Sequence, residues 1–167
     1  MKEGRLGSLP LRGGLGTVSM RPAEIALVAL SLFGLGVAAY LTTVHYASLP
    51  LVCSASGLVN CEQVLTSPYS VLPGTAVPIT ILGMGWFVVN LVMVLASVRI
   101  GGRIRWQRWS WIRLVWAGSG MIAVFYLIFV EVVRLHAICL WCSLVHLTVF
   151  TILLTDVWLL MSPSEPA

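Results

Sequence analysis

Charge is what this sequence has least of: 10% of its 167 residues are Asp, Glu, Lys or Arg, against 59% hydrophobic. A chain of that length suits one domain, but too few polar residues remain to cover a water-soluble globule, so the bilayer must be its solvent. Lys and Arg are absent from residues 47–75, and no secretory cleavage site follows the first apolar run, which is too long for a signal-peptide core and is read as a retained helix. No repeat of roughly 20 to 50 residues is present, and no low-complexity segment interrupts the apolar part. Cysteine occurs only four times and histidine three times, with no histidine at zinc-finger spacing, which argues against a metal site.

What is present is four apolar runs. A hydrocarbon core of about 30 Å requires roughly 20 residues of helix, and runs of that length fall at about residues 22–46, 76–98, 113–135 and 137–161. The expected fold is therefore an all-α integral membrane protein with four transmembrane helices. The last two form an antiparallel hairpin, because moving the turn near Arg134 and His136 would bury both in lipid. Residues 1–21 read as a disordered cytoplasmic tail, with Met20 an alternative start, and residues 162–167 as a second cytoplasmic tail.

Cations set the orientation. Arg99, Arg103, Arg105, Arg108 and Arg113 crowd the link at residues 99–112 and the adjoining helix start, and Lys2, Arg5, Arg12 and Arg21 precede the first helix. Both segments are expected to be cytoplasmic, which puts the loop at residues 47–75 and the hairpin turn on the far side of a plasma (inner) membrane. Topology accounts for these arginines, so they make no case for nucleic-acid binding. Trp106, Trp109, Trp111 and Trp158 suit headgroup anchors. Gly34, Gly36, Ala38, Ala39, Gly83, Gly85, Gly118 and Gly120 read as small residues that let helices approach.

On this topology all four cysteines share the outer side. Cys53 and Cys61 lie in the loop, and Cys139 and Cys142 in the first turns of the fourth helix. Disulfides persist in that compartment, which favours redox chemistry over packing. Cys139 and Cys142 project from nearly one helical face, and a helix amino terminus favours the nucleophilic thiolate. A structural disulfide or an inert buried pair is the competing reading. Cys53 and Cys61 bracket a short segment containing Gly57, which could present one cysteine to a soluble partner and the other to the helix pair; a static loop disulfide is the alternative. His146, four residues beyond Cys142, shares its face and could donate to a ligand oxygen or simply bond a neighbouring helix. Glu131 and His136 read as solvated groups near the outer end of the hairpin, with proton relay as the alternative for Glu131, and His45 as a helix-end cation.

The loop pair Cys53 and Cys61, Ser67 in Val-Leu-Thr-Ser-Pro-Tyr, the following Gly74, the Cys139-Leu-Trp-Cys142 motif and the segment from Tyr40 to His45 together resemble the vitamin K epoxide reductase family, in its short bacterial form. The resemblance implies a four-helix bundle around a quinone pocket, capped by a short half-helix at about residues 61–65. It also implies a thiol–disulfide oxidoreductase that reoxidises a DsbA-like thioredoxin-fold partner. Electrons would pass from Cys53 to Cys61, Cys139 and Cys142, then to a membrane quinone: menaquinone, ubiquinone or vitamin K. Ser67, Gly74 and His146 are the pocket residues so implied.

Vertebrate members carry an asparagine where the second helix here begins Ala76-Val77-Pro78-Ile79-Thr80, and a tyrosine at the position of His146; epoxide reduction is thus the alternative activity. The DsbB-type oxidases carry their C-x-x-C before the spaced pair, the reverse of the order here. A non-enzymatic membrane subunit stapled by disulfides is the remaining alternative.

Overall fold

A computed structural model describes residues 20–47, 53, 57–98 and 103–162, with the side chains of 103–106 excepted. The expectations for the two tails up to residue 19 and from residue 163, and for Arg99, lie outside the described residues, as do those for the side chains of Arg103, Arg105 and Trp106.

Four long helices form the bundle: α1 (Pro22–Ala47), α3 (Ile79–Val98), α4 (Arg103–Phe129) and α5 (Leu140–Met161). All are long and apolar enough to cross a membrane. The short helix α2 (Cys61–Leu65) lies between α1 and α3, at the position expected for the half-helix. Helix α1 packs against α3 and α5, and α4 packs against α5 and more lightly against α3, which closes a four-membered ring. Large apolar side chains stand outward, among them Val115, Ile122, Phe125 and Leu147, as lipid contact requires. Trp111 and Trp158 are exposed as well. Trp109 is half-buried and donates its indole N–H to the Met93 carbonyl at 3.2 Å.

Three helix starts differ from the expectation, the smallest consequence being at α3, which begins at Ile79 rather than at residue 76. Helix α4 begins ten residues before Arg113, within the expected cytoplasmic link, because a helix rich in Arg and Trp need not stop where lipid does. Helix α5 begins at Leu140 rather than at residue 137. There α4 widens into a π-helical turn over Val130–Leu135, which ends at His136 in the left-handed conformation (φ 50°), and Ala137 and Ile138 are extended chain leading to Cys139. The His136 N–H caps the turn on the Glu131 carbonyl, which also accepts from the Ala137 N–H at 3.0 Å.

The core has two parts. One is apolar and joins all four long helices through Leu27, Phe87, Val94, Ala117, Val124, Val149 and Ile152. The expected glycine packing holds at Gly34, whose missing Cβ leaves room for the Phe87 ring, and at Gly120, where the Trp86 ring occupies that space. At Gly36, Gly83, Gly85 and Gly118 nothing approaches the place of a Cβ, so these do not mediate close contact. The second part lies at the other end of the bundle and contains the cysteines.

Two sets of polar side chains inside the bundle pair across helices. Asn90 of α3 donates to Ser31 Oγ of α1 at 2.9 Å, with both residues fully buried. Arg113, read from sequence as one of the cations marking the cytoplasmic side, is buried and forms an ion pair with Asp156 of α5, and its second nitrogen donates to Ser97 Oγ at 3.3 Å. Removal from water explains the pairing, since either charge alone would be strongly destabilising there.

Candidate active site at the cysteine end of the bundle

The approach of the two cysteine pairs begins with backbone. Gly57 adopts φ +60°, a conformation that a Cβ disfavours, and it turns the loop so that residues 58–60 run beside Ile138. The Ile138 N–H donates to the Leu58 carbonyl at 2.8 Å, and the Asn60 N–H donates to the Ile138 carbonyl at 3.1 Å. Asn60 then caps α2 by accepting the Gln63 N–H at 3.0 Å, and the Gln63 side chain donates to the Leu135 carbonyl at 3.0 Å. These bonds fix Cys61, the first residue of α2, against the start of α5.

Cys53 and Cys61 form a disulfide, whereas Cys139 and Cys142 are free thiols. All four belong to one cluster with Val37, Leu41, Val44 and Leu65. Exposure separates them: Cys61 and Cys139 are 1% and 0% exposed, while Cys53 and Cys142 are only half-buried. Thus the inner members of the pairs share the dry centre, and the outer members reach its margins. Trp141 packs on Tyr40 of α1 with ring centroids 4.9 Å apart, which holds the C-x-x-C turn against the bundle.

Cys139 is not in the helix but caps it: its Sγ accepts the Cys142 N–H at 3.4 Å. Its thiol titrates below the ordinary value, chiefly because the Cys142 thiol hydrogen-bonds it, with burial acting in the opposite direction. The residue at the helix terminus is thus Cys139, at the cap position of α5.

Beside Cys142 lies an apolar cavity of about 110 Å³, bounded by Leu41, Leu65, Ile79, Leu127, Val145 and other side chains. Ser67 and His146 line it, and so do Thr80, Tyr69 and Glu131. A neighbouring cavity of about 220 Å³, reaching toward Trp86 and Phe87, shares His146, Ile79, Gly83, Leu127 and Val145 with the first. Ser67 is 8% exposed and its hydroxyl donates to the Val64 carbonyl at 2.8 Å, closing the end of α2. Gly74 is placed elsewhere: it is exposed, adopts φ +77° in the turn before α3, and is not among the residues lining either cavity. Its conformation gives a local reason for glycine at that position.

Glu131 differs from its expected solvated state. It is 5% exposed, its Oε2 accepts the Cys139 N–H at 3.3 Å, and it lines the same cavity as Cys142. The signal in the sequence was an acid inside an apolar run, eight residues before Cys139; such a residue is retained in a span only when it has partners. His136 is exposed, as expected. Arg134 is exposed too and donates to the Tyr69 hydroxyl at 2.9 Å, tying the hairpin to the loop.

Four apolar helices, two cysteine pairs in one cluster and an adjoining apolar cavity define a membrane thiol-redox protein in outline. The family model for the vitamin K epoxide reductase family matches residues 25–157, most of the chain, and the protein belongs to that family. Membership implies thiol–disulfide oxidoreductase chemistry linked to quinones. No curated protein matches the chain significantly.

Proposed function

We propose that the protein is a thiol:quinone oxidoreductase that reoxidises a DsbA-like thioredoxin-fold partner and so supports disulfide formation in exported proteins. The observation that carries this reading is the single cluster of four cysteines, with Cys61 and Cys139 buried together and Cys142 at the wall of an apolar cavity. A partner thiolate attacks Cys53, the more exposed sulfur of the loop disulfide, and releases Cys61. The second partner thiol resolves the mixed disulfide. Cys61 then attacks the oxidised helix pair at Cys139, Cys53 closes the loop disulfide again, and the reduced Cys139 and Cys142 deliver two electrons to the quinone from Cys142.

The direction is downhill. A DsbA-type pair sits at about −120 mV, and each ~30 mV by which the acceptor is more oxidising contributes ~1.4 kcal/mol for two electrons. The cavity beside Cys142 is largely apolar with a few polar groups, as a lipophilic ring requires. His146 and Ser67 are the polar groups proposed to contact the quinone. The absence of Lys and Arg from residues 47–75 supports placing this end on the extracytoplasmic side of the plasma membrane, with both termini in the cytoplasm.

The test supplies purified protein in detergent with a reduced DsbA-like partner and either menaquinone or ubiquinone, and follows thiol loss and quinol formation together. One quinol per partner disulfide is expected, and it is abolished by Cys142→Ala. Quinol formation that persists in Cys142→Ala, or thiol loss without quinol, would reject the proposal. A subunit merely stapled by disulfides would show neither activity in the wild type.

A further inference from the structure

Glu131 takes no part in the relay just described, yet it occupies the centre of the site. It lies in the π-helical turn that widens α4 next to the start of α5. A carboxylate serving only to cap α5 would need the Cys139 N–H alone, which it accepts at 3.3 Å. Cys142, a reacting group on the proposed pathway, stands three residues beyond Cys139 and lines the same cavity as Glu131. The Glu131 side chain is 5% exposed, so its carboxylate is largely shielded from bulk water. A buried acid is costly at this depth unless it has partners or a use.

We propose that Glu131 is the proton-transfer residue of the quinone-reducing half-reaction, accepting the Cys142 thiol proton and returning it to the quinone oxygen. This rests on the thiol:quinone reading above. The reduced helix pair begins as two thiols with Glu131 as a carboxylate. Glu131 takes the proton from Cys142 Sγ, and the thiolate becomes the electron donor. A bond forms between Cys139 Sγ and Cys142 Sγ as two electrons pass to the quinone. The two protons that complete the quinol are the one held by Glu131 and the one leaving the Cys139 thiol. The dithiol is oxidised, the quinone is reduced, and Glu131 ends as it began.

Other titratable groups share the cavity: Cys142 and His146 from α5, His45 from α1 and Tyr69 from the loop after α2. Cys139 adjoins it through the Glu131 hydrogen bond, and Arg134 is held by the Tyr69 hydroxyl. Of these, Cys139 is hydrogen-bonded to the Glu131 carboxylate, through its backbone N–H.

Glu131→Gln separates capping from proton transfer, because the amide oxygen still accepts the Cys139 N–H but cannot hold a proton at neutral pH. The full-length protein is reduced beforehand and mixed with menaquinone or ubiquinone across a range of pH. Quinol formation in Glu131→Gln is expected to slow by about 100-fold, the scale of a lost general base, and to lose the pH inflection seen in the wild type. Electron transfer from the reduced partner into the loop pair should be unchanged. Time-resolved infrared difference spectra of the wild type, recorded as the pre-reduced protein turns over quinone and with carbon-13 glutamate incorporated, provide a check that needs no variant. A glutamate carboxylate that protonates transiently during turnover is expected. Wild-type quinone reduction with an equally fast Glu131→Gln, or with glutamate bands that stay unchanged through turnover, would overturn the proposal while leaving the relay intact. A wild type that fails to reduce quinone would remove the reading on which it rests.

Discussion

The backbone N–H of Asn60 donates to the carbonyl of Ile138 at 3.1 Å, so the residue before Cys61 is bonded to the residue before Cys139. With the Ile138 N–H donating to the Leu58 carbonyl, this bond registers the loop pair on the helix pair. Asn60 has a second task as the side-chain cap of α2, a helix of only 5 residues that begins at Cys61. The placement of the buried loop sulfur thus depends on the Asn60 and Gln63 side chains and a short backbone bridge.

Removing the Asn60 side chain should loosen the register without touching a sulfur. Asn60→Ala deletes the acceptor of the Gln63 N–H, a loss of about 1 kcal/mol for a cap. Rapid acid quenching followed by alkylation should show slower exchange between the loop pair and the helix pair, while the pre-reduced helix pair still reduces quinone at the wild-type rate. Asn60→Asp, which keeps the oxygen acceptor, should restore exchange. Equal exchange rates in all three proteins would mean that the backbone bridge alone sets the register.

At the other end of the bundle, the buried Arg113–Asp156 pair should behave as one unit. Asp156→Ala strands a guanidinium that is 2% exposed, and should lower stability by about 3–5 kcal/mol. Replacing both with leucine should recover most of the loss. Thermal unfolding in one detergent would measure this, and a double variant no more stable than Asp156→Ala would argue against coupling.

Much of this architecture is legible in the sequence, for definite physical reasons. Apolar runs of membrane length identify the four spans, and the order of the cysteines together with Ser67 points to the family and to the half-helix at Cys61–Leu65. What was hidden depends on which helix faces which. Arg113 resembles an interfacial cation until Asp156 is known to oppose it from α5. Glu131 resembles a solvated helix-end acid until the π-helical turn, a departure from regular helix with no simple pattern in the sequence, rotates it beneath Cys139. Gly74 was grouped with the pocket residues on resemblance alone, whereas its positive φ shows a demand of the turn it occupies.

Titration of Cys139 gives a pH test with a definite sign. Its thiol is held below the ordinary value of 9.0, mainly by the Cys142 hydrogen bond. In a background of Cys53→Ser and Cys61→Ser, ultraviolet thiolate absorbance should therefore show its first transition below pH 9.0. Adding Cys142→Ala removes the donor and should move that transition upward, leaving less thiolate at neutral pH. A transition that stayed in place, or fell, would contradict the assigned cause.

The central claim is that the loop and helix pairs form one relay bridged by Cys61 and Cys139, the two buried sulfurs. The most direct measurement is disulfide mapping by mass spectrometry in chains that retain only two cysteines. A chain with Cys53→Ala and Cys142→Ala should form a Cys61–Cys139 disulfide under mild oxidation, and one with Cys61→Ala and Cys139→Ala should form none between Cys53 and Cys142. The reverse pattern, or no bridge in either folded chain, would contradict the relay.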